Sequence, residues 1–265
     1  MLILIKGAGD LASGVAHRLY RCGFTVVMTE IAKPTTVRRT VAFSRAIYEG
    51  EAVVEGVKAQ LAHSPEEALA FTRKGSIAVL VDPECACRAK LSPDALVDAI
   101  LAKRNTGTKI SDAPVVVAMG PGFTAGVDCH AVIETKRGHN LGRVIFEGRA
   151  AENTGVPGNI GGYTSERIIR ACRDGIFTPS AEIGQHVQAG DLVAAVDGEP
   201  VTANISGVVR GMLPPATPVH RGMKSGDIDP RGITDYCYTI SDKARAIAGG
   251  VLEAILHLQS KGERK

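Results

Sequence analysis

The sequence predicts an α/β fold, in which a Rossmann-like, mostly parallel sheet precedes a C-terminal all-β barrel-sandwich module of the lipoyl type. Apolar runs alternate with helical patterns over residues 2–119, which is typical of a parallel sheet with crossover helices. A glycine-rich turn, Gly7-Ala8-Gly9, directly follows the first run. Residues 176–232 instead place turn-forming residues every few positions, and this pattern predicts short strands.

The first three elements form a βαβ unit. An apolar run at residues 2–5 predicts a strand, and apolar positions at helical spacing then continue until Gly23. Residues 24–30 predict the second strand, so the connection between the two strands is expected to be a right-handed crossover.

The α/β pattern continues along the rest of the N-terminal half. It predicts a weak strand, a helix that Ser64 caps before Pro65, a strong strand, another helix and a further strand. These elements lie at residues 52–55, from 64, 77–81, 92–104 and 115–119.

The second half changes character. Two short strands and a helix are predicted first, at residues 130–134, 143–146 and 164–173. The segments 183–193 and 201–209 then resemble lipoyl- and biotinyl-type domains, although the turn 197–200 lacks the lysine that carries their cofactor. A final amphipathic helix is predicted at 242–258. The predicted domains are therefore 1–174 (cofactor binding), 175–232 (the β-rich module) and 233–265 (a segment that packs back on the first domain).

Composition narrows the classes of function. The chain has 265 residues, 45% of them apolar, which is enough for a large core. A net charge of +3 and 4% aromatic residues without Trp argue against a nucleic-acid partner. The sequence has no apolar stretch of about 18 residues and no signal peptide, so no membrane partner is expected. Its six cysteines are therefore predicted to be free thiols in the reducing cytoplasm.

The first glycine turn is the strongest candidate binding site. Gly7, Gly9 and Ala12 occupy the positions where small residues let the backbone approach a phosphate, and the helix N-terminus favours an anion. Glu30 ends the next strand, where an acid can bind a ribose hydroxyl. The full set of candidate cofactor-binding residues here is Gly7, Ala8, Gly9, Asp10, Leu11, Ala12 and Glu30. The alternative is a tight strand–helix connection that binds no ligand. The negative charge of Asp10 counts against a phosphate in this turn, unless the Asp10 side chain caps the helix instead.

A second glycine turn, with Gly120 and Gly122 as candidate binding residues, follows the strand at 115–119. Open α/β sheets place ligands at this carboxyl edge. Asp128-Cys129-His130 follows and offers a thiolate, an imidazole and a carboxylate, or else only begins a strand. Cys129 is therefore one candidate thiol.

Cys85 is the other candidate thiol, and it also follows a strand. Cys85-Ala86-Cys87 has no second cysteine pair nearby, which makes it a poor zinc site, and no metal is predicted. The pair either acts as a soft ligand or sulfur acceptor tuned by Arg88, or begins a helix without a chemical role.

Four segments together resemble one family, the selenium-dependent molybdenum hydroxylase accessory proteins called YqeB, which are distant relatives of the XdhC/CoxI accessory proteins. The segments are residues 5–14, 97–105, 119–130 and 153–158. The resemblance implies binding of molybdenum cofactor, a pterin that is often extended to a dinucleotide. It also implies help in installing the terminal sulfur or selenium, and transfer to an apo molybdenum hydroxylase. Cofactor-biosynthesis proteins and a second copy of the chain are the other partners expected.

Two further hypotheses stay open from the sequence. One is an NAD(P)-dependent oxidoreductase that uses residues 7–12 and Glu30. The other is a scaffold whose β-rich module docks a partner. The sequence does not decide whether the protein is an enzyme.

Overall fold

The computed structural model describes residues 1–262 and divides them into two compact units. Unit 1 contains residues 1–34, 42–154 and the chain from 240 onward, whereas unit 2 contains residues 35–41 and 155–239. The predicted segment 233–265 therefore spans the end of unit 2 and the last helix of unit 1, and its last three residues lie outside the described part.

Unit 1 is built on one nine-stranded sheet with the strand order β3-β4-β5-β2-β1-β6-β7-β8-β9. The strands from β4 to β8 in this order pair in parallel, and the edge strands β3 and β9 are antiparallel to their neighbours. In chain order the strands are β1 (Leu2–Lys6), β2 (Thr25–Glu30), β3 (Glu51–Val54), β4 (Val57–Ala62), β5 (Ile77–Val81), β6 (Ala95–Asp98), β7 (Val115–Met119), β8 (Ala131–Ile133) and β9 (Val144–Ile145).

Among the described residues, five α-helices accompany this sheet: α1 (Asp10–Arg21), α2 (Ala46–Glu49), α3 (Pro65–Arg73), α4 (Arg88–Leu91) and α5 (Asp242–Gly262). Ser64 caps α3, because its hydroxyl oxygen accepts a hydrogen bond from the Glu67 N–H (3.1 Å). Helix α5 packs against α1 and β7. No helix in the described residues combines the length and apolar character that a membrane crossing needs.

Unit 2 consists of two four-stranded antiparallel sheets, with the orders β10-β17-β15-β12 and β14-β13-β11-β16. Buried side chains from both sheets, among them Phe177, Val193 and Val209, form one core. The strands are β10 (Ile168–Arg170), β11 (Gly175–Pro179), β12 (His186–Val187), β13 (Leu192–Val196), β14 (Glu199–Thr202), β15 (Gly207–Met212), β16 (Thr217–Val219) and β17 (Lys224–Asp229).

Two predicted helices are wrong. Residues 95–98, inside the helix predicted at 92–104, form β6 between β1 and β7, and all four are buried. Residues 168–170, inside the helix predicted at 164–173, form β10 and pair with β17. Both segments have a capping residue and an apolar pattern typical of a helix. In the fold, however, each segment lies beside a strand from elsewhere in the chain and forms backbone hydrogen bonds with it. Pairing with distant strands therefore overrides the local preference.

The predicted fold class, a Rossmann-like sheet followed by a lipoyl-type module, is wrong as well. The sheet of unit 1 is mixed, and two of the helices between its strands, α2 and α4, have only four residues each. Instead of one barrel-sandwich module at 175–232, unit 2 has two antiparallel sheets that are not hydrogen-bonded to each other. One of them includes β10, which lies before residue 175. A doubly wound fold needs a full helix after most strands, and short connections replace these helices here.

Adjacent glycines in α5 are expected to respond oppositely to alanine. A Cβ on Gly250 would collide with the Gly142 carbonyl oxygen, whereas a Cβ on Gly249 would meet nothing closer than 3.9 Å. We expect Gly250→Ala to lower the free energy of unfolding by about 1–3 kcal/mol, because the backbones must separate. Gly249→Ala is the matched control and should raise it by up to about 1 kcal/mol through helix propensity. Thermal unfolding followed by circular dichroism checks both, and equal shifts would contradict the close approach.

Candidate active site at the carboxyl edge of the sheet

The Gly7-Ala8-Gly9 turn packs tightly on its neighbours. Gly7 has a φ of +95°, and a Cβ there would lie 3.1 Å from the Ala99 carbonyl oxygen, so the close approach requires glycine. The Gly7 N–H donates to the Thr29 carbonyl (2.8 Å), and the Ala8 N–H donates to Glu30 Oε2 (2.9 Å). These two N–H groups therefore hold the turn in place.

Glu30 is positioned to shape this turn. Its second carboxylate oxygen, Oε1, accepts a hydrogen bond from the Ile31 N–H (2.9 Å). Both oxygens thus accept backbone hydrogen bonds, which accounts for the acid at the end of β2 without a ribose hydroxyl.

The other predicted residues of this turn begin α1. The Asp10 carboxylate accepts from the Leu11 N–H (3.0 Å), and Ala12 is buried. Gly9, the N-cap residue, has no side chain that could cap the helix. The positive end of this twelve-residue helix lies at the same edge of the sheet.

A buried polar centre lies beside the turn, between β1 and β6. The Lys6 ammonium donates to Thr108 Oγ1 (2.7 Å) and lies 3.5 Å from Asp98 Oδ2. The Thr108 hydroxyl in turn donates to Asp98 Oδ2 (2.5 Å). Sequence reasoning missed this centre, although the signal was present, since Lys6 and Asp98 each end an otherwise apolar run.

Cys85 and Cys87 occupy a tight turn after β5 that Asp82 organises. The Asp82 carboxylate accepts from the N–H groups of Ala86 (3.0 Å) and Cys87 (2.7 Å). Cys85 has a φ of +55°, an uncommon conformation for a residue other than glycine, and only 1% of its surface is exposed. The turn therefore holds the two thiols side by side at the carboxyl edge.

The two thiols have opposite protonation preferences. A hydrogen bond from the Cys87 thiol lowers the pKa of Cys85 and outweighs the opposing effect of burial, and the Lys6 charge and the Thr29 hydroxyl lower it further. Donating that hydrogen bond, together with burial, raises the pKa of Cys87 well above its usual range. Cys85 is therefore the more acidic thiol of the pair, and Cys87 is the less acidic one.

Cys129 differs sharply from Cys85. It is fully buried in the apolar core of unit 1, and burial and the nearby Asp128 raise its pKa to about 12. The neighbours suggested as its catalytic partners have structural contacts instead. The His130 Nδ1 accepts from the Val116 N–H (2.9 Å), and the Asp128 carboxylate accepts from the Thr124 N–H (2.7 Å).

The second glycine turn closes against the loop after β6. A Cβ on Gly120 would lie 2.7 Å from Thr135 Oγ1, and a Cβ on Gly122 would lie 2.5 Å from the Arg104 Cα. In that loop Leu101 and Lys103 have positive φ angles of +60° and +63°. Together with Cys85, they place three residues with a left-handed backbone after the carboxyl ends of β5 and β6, which β2 and β1 separate in the sheet, and such strain is often found at functional sites.

An open groove of about 960 Å³ reaches the backbone between the two thiols. It is lined by Ala86, Arg88 and the polar side chains Asp94, Lys109 and Asp112. Arg88 connects the groove to the turn, because its Nη1 donates to the Cys85 carbonyl (3.2 Å) and its Nε lies 3.3 Å from Asp112. Among the described residues, no three metal-binding side chains come together.

One curated relative is similar over nearly the whole chain. It is "Uncharacterized protein YqeB" of Escherichia coli (strain K12), 54% identical over 261 residues, which cover 98% of this chain and 48% of that protein. The chain thus spans about half the length of the curated relative it matches. No family model matches the sequence.

Similar solved structures include an aspartoacylase family protein from Mesorhizobium loti. It is 12% identical, covers 86% of this chain and 84% of its own, and has a TM-score of 0.28. A succinylglutamate desuccinylase/aspartoacylase from Rhodobacter sphaeroides is 15% identical, with 84% and 86% coverage and a TM-score of 0.25. At these scores, neither neighbour transfers a fold or an activity to this chain.

The predicted membership of a molybdenum hydroxylase accessory family is wrong by these comparisons. The curated relative carries the name YqeB but is described as uncharacterized, so it brings no accessory function, and no family model of accessory proteins matches the chain. The predicted function, cofactor insertion with NAD(P)-dependent oxidoreduction as its alternative, is wrong on the same grounds. Binding of molybdenum cofactor or NAD(P) is not tested by them and stays a prediction, as do the predicted partner proteins and the homo-oligomer.

Proposed function

We propose that unit 1 is a dithiol catalyst that reduces small disulfides or persulfides with Cys85 and Cys87. The observation that carries this proposal is the turn that Asp82 organises, which holds Cys85 and Cys87 together at the carboxyl edge and in which Cys87 lowers the pKa of the Cys85 thiol. A thiolate is the attacking form in disulfide exchange, and a second thiol within reach resolves the product.

The reaction balances within the pair. The Cys85 thiolate attacks one sulfur of the substrate, forms a mixed disulfide and releases the other sulfur as a thiolate. Cys87 then loses its proton to that leaving thiolate and attacks the Cys85 sulfur, which releases the second substrate sulfur as a thiolate. The protein ends as the Cys85–Cys87 disulfide, oxidised by two electrons, and the substrate disulfide is reduced by two. An external dithiol reductant then returns the pair to the dithiol form by two further exchanges.

The surroundings favour a small substrate. Cys85 and Cys87 are 1% and 8% exposed, so a bulky disulfide does not fit without movement of the turn. The adjoining groove carries the charges of Arg88 and Lys109 together with those of Asp94 and Asp112, so the groove favours neither sign of charge on the substrate. In this proposal, the substrate reaches the turn from this groove.

Trapping the mixed disulfide tests the proposal. Cys22 is exposed and Cys172 is partly exposed, so both are first replaced by serine to remove competing thiols. In this background, a small disulfide such as 2-hydroxyethyl disulfide should produce the Cys85–Cys87 disulfide, detected by mass spectrometry as the loss of two hydrogens. Cys87→Ser should stop the reaction at an adduct on Cys85, because the resolving thiol is missing.

The matched control is Cys129→Ser, which should leave the reaction unchanged because that thiol is buried and protonated. The rate at which the adduct forms in Cys87→Ser measures the reactivity of the Cys85 thiol alone. Since Cys87→Ser keeps a hydroxyl donor beside Cys85, the rate should reach its plateau at a lower pH than for an ordinary thiol of pKa about 8.5. An adduct on Cys129, or none on Cys85, would rule the proposal out.

A further inference from the structure

A groove with charges of both signs adjoins the thiol turn of unit 1. It has a volume of about 960 Å³ and is open to solvent. Binding sites for small molecules have volumes of roughly 300–1,000 Å³, so this groove has the size for a small ligand. Ala86, which lies between the two cysteines in the sequence, is one of the lining residues. A ligand in the groove therefore lies against the backbone that carries both thiols.

The positive charges of the groove belong to Arg88 and Lys109. Both residues contact Asp112, because Arg88 Nε lies 3.3 Å from its Oδ1 and the Lys109 N–H donates to its Oδ2 (2.9 Å). Only 9% of the Asp112 side chain is exposed, and both of its oxygens are engaged, so it offers little to a ligand. The Lys109 side chain is exposed, and its ammonium has no hydrogen bond or ion pair with the residues that the structure describes. Lys109, beside Arg88, can therefore bind a carboxylate.

The negative charge available to a ligand belongs to Asp94, which directly precedes β6. Its Oδ2 accepts a hydrogen bond from the Leu2 N–H (2.7 Å), and within residues 1–262 the exposed carboxylate has no ion pair. Pro114 directly precedes the neighbouring strand β7, and both Asp94 and Pro114 line the groove. The groove therefore offers an acid without an ion pair as well as a lysine without one.

We infer that this groove binds a zwitterion, so that the disulfide reduced in the proposed function carries both an ammonium and a carboxylate group. An amino-acid disulfide has this chemistry. The carboxylate faces Lys109 and Arg88, and the ammonium faces Asp94, so each charge of the ligand gains a partner of opposite sign. The inference rests on the proposed function, because it names the substrate class of that reaction. The exchange is unchanged: the Cys85 thiolate attacks one sulfur of the bound disulfide, and the other sulfur leaves as a thiolate.

Rates of adduct formation with four small disulfides test the inference. The protein is the Cys87→Ser variant that also carries Cys22→Ser and Cys172→Ser. The disulfides are cystine (zwitterionic), cystamine (cationic), dithiodiglycolate (anionic) and 2-hydroxyethyl disulfide (uncharged). Each rate is divided by the rate of the same disulfide with 2-mercaptoethanol, which removes differences in intrinsic reactivity. We expect the normalised rate to be about fivefold or more higher for cystine than for the uncharged disulfide, because two partly exposed ion pairs form.

Removing either charge should reduce this preference for cystine. Asp94→Asn keeps an oxygen that accepts the Leu2 N–H but loses the negative charge, and Lys109→Met loses the ammonium. Each should lower the ratio of the cystine rate to the uncharged rate about twofold or more. The matched controls are Asp174→Asn, whose exposed carboxylate also accepts a backbone N–H (2.7 Å), and Lys74→Met, at an exposed lysine outside the groove. Both controls should leave the ratio unchanged.

The outcomes separate this inference from the proposed function. Equal normalised rates for cystine and 2-hydroxyethyl disulfide would overturn the inference and leave the proposed function standing. The same follows if Asp94→Asn and Lys109→Met change the ratio no more than their controls do. A higher normalised rate for cystamine or dithiodiglycolate than for cystine would also overturn it, since one sign of charge would then suffice. No adduct on Cys85 with any of the four disulfides would overturn both.

Discussion

Replacing Lys6 with methionine is expected to destabilise unit 1 by about 3–5 kcal/mol. The substitution leaves the buried Asp98 carboxylate, 1% exposed, without its cation and with Thr108 as its remaining side-chain donor. Removal of one partner from a buried ion pair is costly, because the other charge stays out of water. Because the chain has two units, hydrogen exchange of the β1 and β6 amides is the appropriate measurement, and their protection should fall by that amount.

The matched control removes both charges. Lys6→Met combined with Asp98→Leu replaces the ion pair with apolar groups, so it should recover most of the lost stability. The double variant would contradict this account if it were less stable than Lys6→Met. The single variant should also slow the reaction of Cys85 near neutral pH, because the Lys6 charge is one of the groups that lower the pKa of that thiol.

The pattern of apolar and capping residues within one segment was sufficient to predict several helices and strands. The periodicity of α1, the Ser64 cap of α3 and the continuous apolar runs of β5 and β7 each predicted an element that the structure contains. The glycine turn after β1 was also placed correctly, since its close approach to Ala99 requires a residue without a side chain.

Pairing between distant segments could not be predicted in the same way. The residues of β6 follow a good helix cap, and only the gap between β1 and β7 makes them a strand. The Lys6–Thr108 hydrogen bond joins residues 102 positions apart, so no spacing rule finds it. The hairpin partner of β3, strand β4, was missed because its pattern mixes charged and small residues.

The two candidate thiols show where sequence stops being informative. Cys85 and Cys129 both lie next to a strand, and both were predicted as candidate thiols. Burial among apolar side chains makes Cys129 a poor nucleophile, whereas Cys85 faces a second thiol and a lysine. Reactivity depends on these neighbours, and three of them, Cys87, Lys6 and Thr29, reach Cys85 from three different strand ends.

Asp229→Asn is expected to have the other large effect, in unit 2, and the effect should depend on pH. At neutral pH the substitution removes the negative charge that Arg231 and Arg210 share, and we expect a loss of about 3–5 kcal/mol. Burial raises the pKa of Asp229, but hydrogen bonds and charge from Arg231 outweigh it, and the net pKa is lowered.

The lowered pKa fixes the direction of the pH dependence. The ion pair contributes fully above the pKa of Asp229 in the unfolded chain, about 3.9, and its contribution is lost as pH falls through the lower folded value. The stability gap between wild type and Asp229→Asn should therefore be widest near neutral pH and narrow as the pH falls below about 3.9. Hydrogen exchange of the β15 and β17 amides over this range measures the gap. Asp191→Asn, at an exposed turn of the same unit, should show little change at any pH, since its carboxylate accepts a hydrogen bond from the Gln188 N–H that an amide oxygen can also accept. A gap that did not narrow below about pH 3.9 would mean that the charge of Asp229, beside Arg210 and Arg231, does not stabilise unit 2.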